Sequence, residues 1–170
     1  KGRSETPQGW TSVDTMRYSE GEIERVLRVG FELARGRRKK LASVDKANVL
    51  ECSRLWRQTA ARLAGEYPDV ELEHVLVDAC AMQLIQRPSS FDVIVSENTF
   101  GDILTDEAAQ IQGGVGTAGS ANIGKRFAMF EAIHGSAPRM VQEGRARYAD
   151  PSSLLRAGAM MLEHIGFNEL

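Results

Sequence analysis

Two aspartates four residues apart are the clearest candidates for chemistry in this sequence. Asp102 and Asp106 end the stretch Phe91–Asp106, in which an apolar run, Val93 to Val95, precedes a turn-like segment and a predicted helix. On a helix this spacing puts both carboxylates on one face, where like charges repel by about 0.2–0.5 kcal/mol. A hard divalent cation such as Mg²⁺ would relieve the repulsion. An acidic first turn that complements the helix dipole is the alternative, and spacing leaves both open.

Other candidate groups follow predicted strands. Lys46 and Asn48 come after one strand, and Asp78 comes after the next. Ligands of α/β proteins gather beyond the carboxyl ends of strands. Lys46 fits either an ordinary surface pair with Asp45 or a proton-transfer group facing an anionic substrate, with Asn48 adding a neutral hydrogen bond. Asp78 fits either a helix N-cap or a third carboxylate at the same sheet edge.

Two further segments contain loop-forming residues. Gly114-x-Gly116-x-x-Gly119 matches the dinucleotide fingerprint, but it follows a predicted helix and no helix clearly opens after it. We therefore interpret the glycines as a flexible crossover. The loop from His134 to Pro138 has small residues whose amides suit a phosphate or an adenine, although lone histidines are more often structural.

The elements that must position these residues alternate between helix and strand, which predicts an α/β layer architecture. From the N-terminus we predict a loop or arm over 1–17, a helix from the Ser19/Glu22 capping box to about Arg38, a strand over 41–45, a helix over 49–66, a strand over 70–77 and a helix over 79–87. Next come a strand over 93–95, a helix ending near 112, a strand over 127–133 and a helix opened by Asp150-Pro151 with Leu154, Leu155, Ala157, Met161 and Ile165 facing inward.

Composition excludes some partners. The 170 residues are 42% hydrophobic and 26% charged, with a formal charge of −2, which argues against a nucleic acid or an anionic membrane as partner. The basic run 35–40 is predicted to be a solvated helix end. Cys52 and Cys80 are predicted to be buried thiols outside any disulfide, which suits a reducing compartment, and without a signal-peptide pattern the cytoplasm is the expected location.

Three strings resemble one family. They are Ser43–Glu51, Glu97–Asp106 and Phe130–Pro138, and together they are similar to the metal-dependent β-decarboxylating dehydrogenases of isopropylmalate, isocitrate and related hydroxy acids. The resemblance implies a layered sheet-and-helix fold that is not a Rossmann fold. It further implies a smaller, dimer-forming domain over 1–112 and part of a larger, cofactor-binding domain over 113–170.

The resemblance also implies roles for individual residues. It makes Asp78, Asp102 and Asp106 ligands of Mg²⁺ or Mn²⁺, with Asp78 and the catalytic Lys46 contributed by the partner subunit of a homodimer with shared active sites. The metal would acidify the substrate hydroxyl and stabilise the enolate that remains after CO₂ loss, and hydride would pass to NAD or NADP. The implied cofactor contacts are Asn48, Glu131, His134, Gly135, Ser136, Ala137, Pro138, Arg139 and Asp150.

Some positions depart from the family pattern. The family's catalytic tyrosine and carboxylate-binding arginines would precede residue 1, and Tyr18 lies too far along to replace that tyrosine, so we expect the 170 residues by themselves to lack turnover. Arg139 stands where NAD-using members usually carry an aspartate, and arginine favours a 2′-phosphate, so we expect NADP to be tolerated.

The substrate is predicted from a few strings. Ser43–Glu51 and Tyr67–Glu73 favour 3-isopropylmalate, an intermediate of leucine biosynthesis, whereas Gly113–Gly116 and Ala121–Gly124 favour isocitrate as the alternative. A noncatalytic dimerisation or regulatory subunit is a third interpretation. The retained Lys46 and its acidic neighbours argue against it.

Overall fold

The computed structural model describes residues 1–167. Its longer elements are β1 (Gly2–Thr6), β2 (Gly9–Val13), α1 (Glu20–Arg35), β3 (Lys40–Asp45), α2 (Glu51–Ala64), β4 (Glu71–Leu76), α3 (Val77–Gln86), β5 (Val93–Ser96), α4 (Asn98–Ile111), β6 (Gly119–Ile123), β7 (Ala128–Ala132), α5 (Pro138–Gln142) and α6 (Ser152–His164). In the described part of the chain no helix is both long and apolar enough to span a membrane.

Contacts divide the chain into two compact units, one from Lys1 to Asp102 and one from Ile103 onward. The first contains a three-stranded sheet in the order β4-β3-β5, in which β3 pairs in parallel with both neighbours. The second contains an antiparallel pair, β6 and β7, with α6 against it. The predicted α/β class is confirmed, and the domain boundary at residue 112 stays a prediction.

The core of the first unit forms because α1 and α2 present apolar stripes to the sheet. On α1 the buried residues recur every three or four positions, at Ile23, Leu27, Phe31 and Ala34. Gly30 lets α1 lie close to the sheet, since a Cβ there would come within 3.2 Å of Val95. The Ser19/Glu22 capping box is confirmed, with the Ser19 amide donating to the Glu22 carboxylate over 2.8 Å.

The expected loop at residues 1–17 is wrong in its first part, where β1 and β2 form a hairpin closed by the turn at Pro7 and Gln8. Nearly all of its residues, Trp10 included, are exposed. The sequence therefore lacks the alternation of apolar and polar residues by which a half-buried strand is recognised. Gly9 adopts φ +106°, a conformation that favours glycine and ends the turn. Arg3 stacks on the Trp10 ring at 4.8 Å.

The second unit corrects the predicted inward face of α6. Of the residues predicted to face inward, only Ala157 is buried, whereas Leu154, Leu155, Met161 and Ile165 are exposed. The reason is that a two-stranded hairpin covers only a narrow stripe of the helix. Pro151 precedes the helix as its N-cap residue and does not enter the first turn.

Three further predictions need smaller corrections. The fingerprint segment enters β6 and no helix follows it, as expected, but Gly119 has a packing role because a Cβ there would lie 2.7 Å from the Ala157 amide nitrogen. The basic run 35–40 is more than a solvated helix end, since Arg37 pairs with Asp92 at 3.0 Å. Cys80 is buried and Cys52 only partly so, and the two thiols are not joined in a disulfide.

Candidate active site at the carboxyl edge of the parallel sheet

The carboxyl ends of β3 and β4 place Lys46 beside Asp78. Lys46 Nζ donates to Asp78 Oδ1 over 2.6 Å, and the two side chains are 25% and 61% exposed. This contact brings together two residues that the sequence had placed at separate strand ends. The Lys46 ammonium is the main reason that the pKa of Asp78 is lowered from its ordinary value, so the carboxylate is ionised at neutral pH.

The turn that presents Lys46 is held by side chains from beneath it. Its backbone N–H donates to Ser53 Oγ over 3.0 Å, and Ala47 N–H donates to Asp45 Oδ1 over 2.9 Å. Asp45 is 1% exposed and accepts both Nε and Nη2 of Arg57, over 2.8 and 2.9 Å. A surface pair of Lys46 with Asp45, one of the two interpretations that the sequence left open, does not form, because Asp45 is buried and pairs with Arg57.

Asp78 is not the N-cap residue of α3, although the sequence had suggested this role for it. The residue in the cap position is Leu76, which has extended backbone angles, and Asp78 lies inside the first turn. There a carboxylate still complements the positive end of the helix dipole while its oxygens remain exposed. Asn48, the neutral candidate, is exposed in the turn after Lys46.

α4 begins at Asn98 and carries Asp102 and Asp106 with exposed side chains. The carboxylate of Glu97 lies directly before the helix, is 6% exposed, and accepts the N–H groups of Thr99 and Phe100 over 3.0 and 2.9 Å. Glu97 thus satisfies two of the first amides of α4, which have no partner within the helix.

Within residues 1–167 no three His, Cys, Asp or Glu side chains approach closely enough to hold a metal ion. The three predicted metal ligands are thus not gathered in one chain. The sequence prediction took Asp78 from a partner subunit, so the metal ligation stays a prediction. Exposed carboxylate oxygens are the donors that Mg²⁺ and Mn²⁺ prefer, and in chemistry the three aspartates suit such an ion.

Apart from Asn48, the predicted cofactor residues lie in the second unit. The loop from His134 to Pro138 is exposed and leads into α5, with Ala137 in the left-handed region at φ 45°. His134 Nδ1 lies 2.9 Å from the Gly135 carbonyl oxygen, which can only accept, so Nδ1–H is the donor of this hydrogen bond. The start of this loop is fixed by Ser153, whose Oγ accepts the Ile133 amide over 3.2 Å.

Three other predicted cofactor contacts have local partners. Glu131 on β7 accepts Asn122 Nδ2 over 2.8 Å. Arg139 is 87% exposed and pairs with Glu143 one helical turn later, Nε to Oε1 at 3.2 Å. Asp150 accepts the Ser152 amide over 2.9 Å, and its hydrogen bonds to Ser152 lower its pKa. The structure leaves these residues at the surface, and their contacts with a cofactor stay predictions.

Sequence reasoning missed the residues that support the site. Arg57, Ser53, Glu97 and Ser153 are polar residues of helices or of a helix start, and three of them are almost fully buried. Only Glu97 could have been found from the sequence, because it directly precedes a predicted helix, where a side-chain hydrogen-bond acceptor is needed. Arg57 and Ser53 gave no such signal, since either would suit an exposed helix face.

Comparison with known proteins identifies relatives over nearly the whole chain. The profile of the isocitrate/isopropylmalate dehydrogenase family matches residues 1–170. A 3-isopropylmalate dehydrogenase of Aquifex aeolicus is 55% identical over 90% of this chain and 41% of its own length, and that of Moorella thermoacetica is 50% identical over 96% and 45%. The chain therefore spans less than half the length of these relatives.

Solved structures agree with the fold. The isocitrate dehydrogenase of Methylococcus capsulatus is 45% identical, with a TM-score of 0.84 over 94% of this chain and 46% of its own. The TT0538 protein of Thermus thermophilus is 38% identical, with a TM-score of 0.84 over 95% and 32%. Because the family profile covers the chain and the fold agrees, the chain belongs to the isocitrate/isopropylmalate dehydrogenase family.

Proposed function

We propose that this chain is part of an enzyme that oxidatively decarboxylates a 2-hydroxy acid, 3-isopropylmalate in leucine biosynthesis, with NAD or NADP and with Mg²⁺ or Mn²⁺. The observation that carries the proposal is the Lys46–Asp78 pair at the carboxyl edge of the parallel sheet, at 2.6 Å. It joins a cationic and an anionic side chain at the edge where α/β proteins bind ligands. The curated relatives named 3-isopropylmalate dehydrogenase support the substrate.

In this proposal Asp78, Asp102 and Asp106 hold the divalent cation between two subunits. When bound, the cation would act as a Lewis acid on the substrate. Lys46 takes part in removing the hydroxyl proton, and Asn48 donates a neutral hydrogen bond to substrate or nicotinamide. The hydrogen bonds beneath Lys46 support this role, since a proton-transfer group needs a fixed position.

A homodimer is supported by surfaces of the first unit. The β1–β2 hairpin is exposed on both faces, and a two-stranded hairpin alone is marginally stable in water, so a second copy is the partner we propose for it. On α3, Met82 and Ile85 are 57% and 72% exposed and would suit the same interface. Light scattering after size exclusion should give twice the chain mass; a monomer at micromolar concentration would contradict the dimer.

The cofactor proposal places the adenosine end at Glu131, the loop from His134 to Pro138, and Asp150. Arg139 would attract a 2′-phosphate if it exchanged its Glu143 partner for the ligand. In the full-length enzyme Arg139→Asp should lower kcat/KM for NADP and leave kcat/KM for NAD nearly unchanged. A strong NAD preference that Arg139→Asp does not alter would refute this assignment.

Metal binding tests the central claim. Calorimetric titration with Mn²⁺ should give a heat of binding that Asp102→Asn abolishes or weakens at least tenfold. Asp14→Asn, which also removes one exposed carboxylate, should change nothing. If both variants bind Mn²⁺ as tightly as the unchanged chain, the proposed metal assignment fails, and a noncatalytic subunit becomes the better interpretation.

Isocitrate is a second candidate substrate, supported by the 45% identity to the isocitrate dehydrogenase of Methylococcus capsulatus. Comparing kcat/KM of the full-length enzyme for the two acids separates these candidates. We expect the value for 3-isopropylmalate to be the larger one, and the reverse order would favour isocitrate.

A further inference from the structure

Tyr18 and Glu97 form a polar contact that the proposed chemistry does not use. Tyr18 Oη–H donates to Glu97 Oε2 over 2.9 Å, and the two residues are 79 positions apart. Glu97 is 6% exposed, and a carboxylate with so little access to water is stable only when protein groups replace the lost hydration. The contact joins the segment that follows the hairpin to the start of α4.

The Glu97 carboxylate serves two purposes at once. Its oxygens accept the Thr99 and Phe100 amides at the start of α4, as an N-cap side chain does. Ser, Thr, Asp and Asn are the usual caps, and all of them are shorter than glutamate. The additional length lets one carboxylate reach these amides and the Tyr18 hydroxyl together.

Tyr18 is held at both of its ends. Its ring packs against the hydrophobic core of the first unit, and its hydroxyl is directed at Glu97. Burial is the main reason that the pKa of Tyr18 is raised, with the hydrogen bond to Glu97 second, so the hydroxyl remains a donor at neutral pH. A ring fixed by packing gives its hydroxyl one direction, which a surface donor would lack.

We propose that Tyr18 is a positioning residue for the predicted metal carboxylates. Its hydroxyl fixes the Glu97 carboxylate, which in turn fixes the first turn of α4. Asp102 follows on the same helix, one turn after Asn98. This inference rests on the proposed metal-binding function. Without the hydroxyl the carboxylate can rotate away from the amides, so some of the free energy of metal binding is consumed in ordering the helix start.

The test compares Tyr18→Phe, which removes only the hydroxyl, with Tyr148→Phe as a matched control at an exposed tyrosine. Titration with Mn²⁺ alone should give a Kd about three- to tenfold higher for Tyr18→Phe, the range expected for one hydrogen bond. Tyr148→Phe should bind as the unchanged chain does. Without metal, amide hydrogen exchange at Thr99 and Phe100 should be faster in Tyr18→Phe only.

A purely structural role would lower the melting temperature and leave the Mn²⁺ Kd and the exchange of both amides unchanged, which would overturn the inference. Asp102→Asn separates it from the proposed function. If Asp102→Asn weakens binding and Tyr18→Phe does not, only the inference fails; if neither does, both fail.

A second variant, Glu97→Gln, covers the case in which Tyr18→Phe does not fold. It keeps the length and one acceptor oxygen but loses the charge, and it too should weaken Mn²⁺ binding. Tyr18→Phe should add little to Glu97→Gln, because both changes disrupt one contact. Unchanged Mn²⁺ binding in Glu97→Gln, or fully additive effects of the two changes, would contradict the mechanism.

Discussion

Replacing Arg57 with methionine removes the main partner of a buried charge and keeps most of the aliphatic side chain. Asp45 is 1% exposed, and Arg57 donates two hydrogen bonds to it, over 2.8 and 2.9 Å. After the substitution only the Ala47 amide would remain among these donors. A carboxylate that keeps its charge at such a position is destabilising unless water or another donor reaches it.

The expected loss can be bounded from this geometry. Removing one partner of a fully buried ion pair costs about 3–5 kcal/mol. The Arg57 side chain is 37% exposed, so water can enter part of the space that the guanidinium leaves. We therefore expect the free energy of unfolding to fall by about 2–3 kcal/mol at pH 7.

The measurement is urea unfolding followed by tryptophan fluorescence. Trp56 is buried and donates to Ser43 Oγ over 3.0 Å, and it reports on the core of the first unit; Trp10 is exposed and is replaced by phenylalanine throughout. Arg25→Met, the same chemical change at an exposed position of α1, is the control and should alter stability by less than about 0.5 kcal/mol.

A loss below about 1 kcal/mol in Arg57→Met would refute the reasoning, because it would mean that the buried carboxylate does not depend on Arg57. A double variant gives a second check. Asp45→Asn should lower the free energy of unfolding much less in the Arg57→Met background than in the unchanged chain. In that background the substitution replaces a buried carboxylate without its cation by a neutral amide, which needs none. Equal costs in both backgrounds would show that the two residues are not coupled.

Two further predictions concern the helices. Ser19→Ala should lower the urea midpoint at pH 7. The Ser19 hydroxyl and amide lower the pKa of Glu22, so this contact stabilises the folded chain fully above the ordinary pKa of 4.5 and is lost as the pH falls through the lowered pKa. The midpoints of Ser19→Ala and of the unchanged chain should therefore converge in acid. A constant difference down to pH 3 would contradict this. Gly119→Ala should destabilise the chain by about 1–3 kcal/mol, since its Cβ would lie 2.7 Å from the Ala157 nitrogen. Gly158→Ala in α6, where a Cβ meets nothing within 4 Å, should stabilise the chain by about 0.5–1 kcal/mol. Similar effects of the two substitutions would refute the packing argument.

The alternating elements were predictable because helices and buried strands have distinct hydrophobic periods. β3 and β5 contain buried apolar runs, and α1 shows both a capping box and a regular stripe. Lys46 and Asp78 could be placed at one sheet edge because parallel strands end on the same side. Chain order and periodicity therefore sufficed for the architecture and for the position of these two residues.

The partners of buried polar groups were not predictable in the same way. Asp45 has Lys46 beside it in the sequence, yet its partner is Arg57 on the next helix, and only the packing of α2 on β3 determines that choice. The hairpin had no buried face to reveal it. On α6 the spacing of apolar residues predicted an inward face. How many of those residues are buried depends on the elements that pack against the helix, and the sequence of α6 does not contain that information.

The central position of β3 has a consequence for synthesis of the chain. β3 pairs with β4 after about thirty residues, but its other edge is matched only when β5 emerges, about fifty residues after β3. During that interval a buried, apolar strand has one open edge, which is a template for pairing with another chain. Nascent chains that end before residue 93 should therefore aggregate more readily than chains that extend past residue 96.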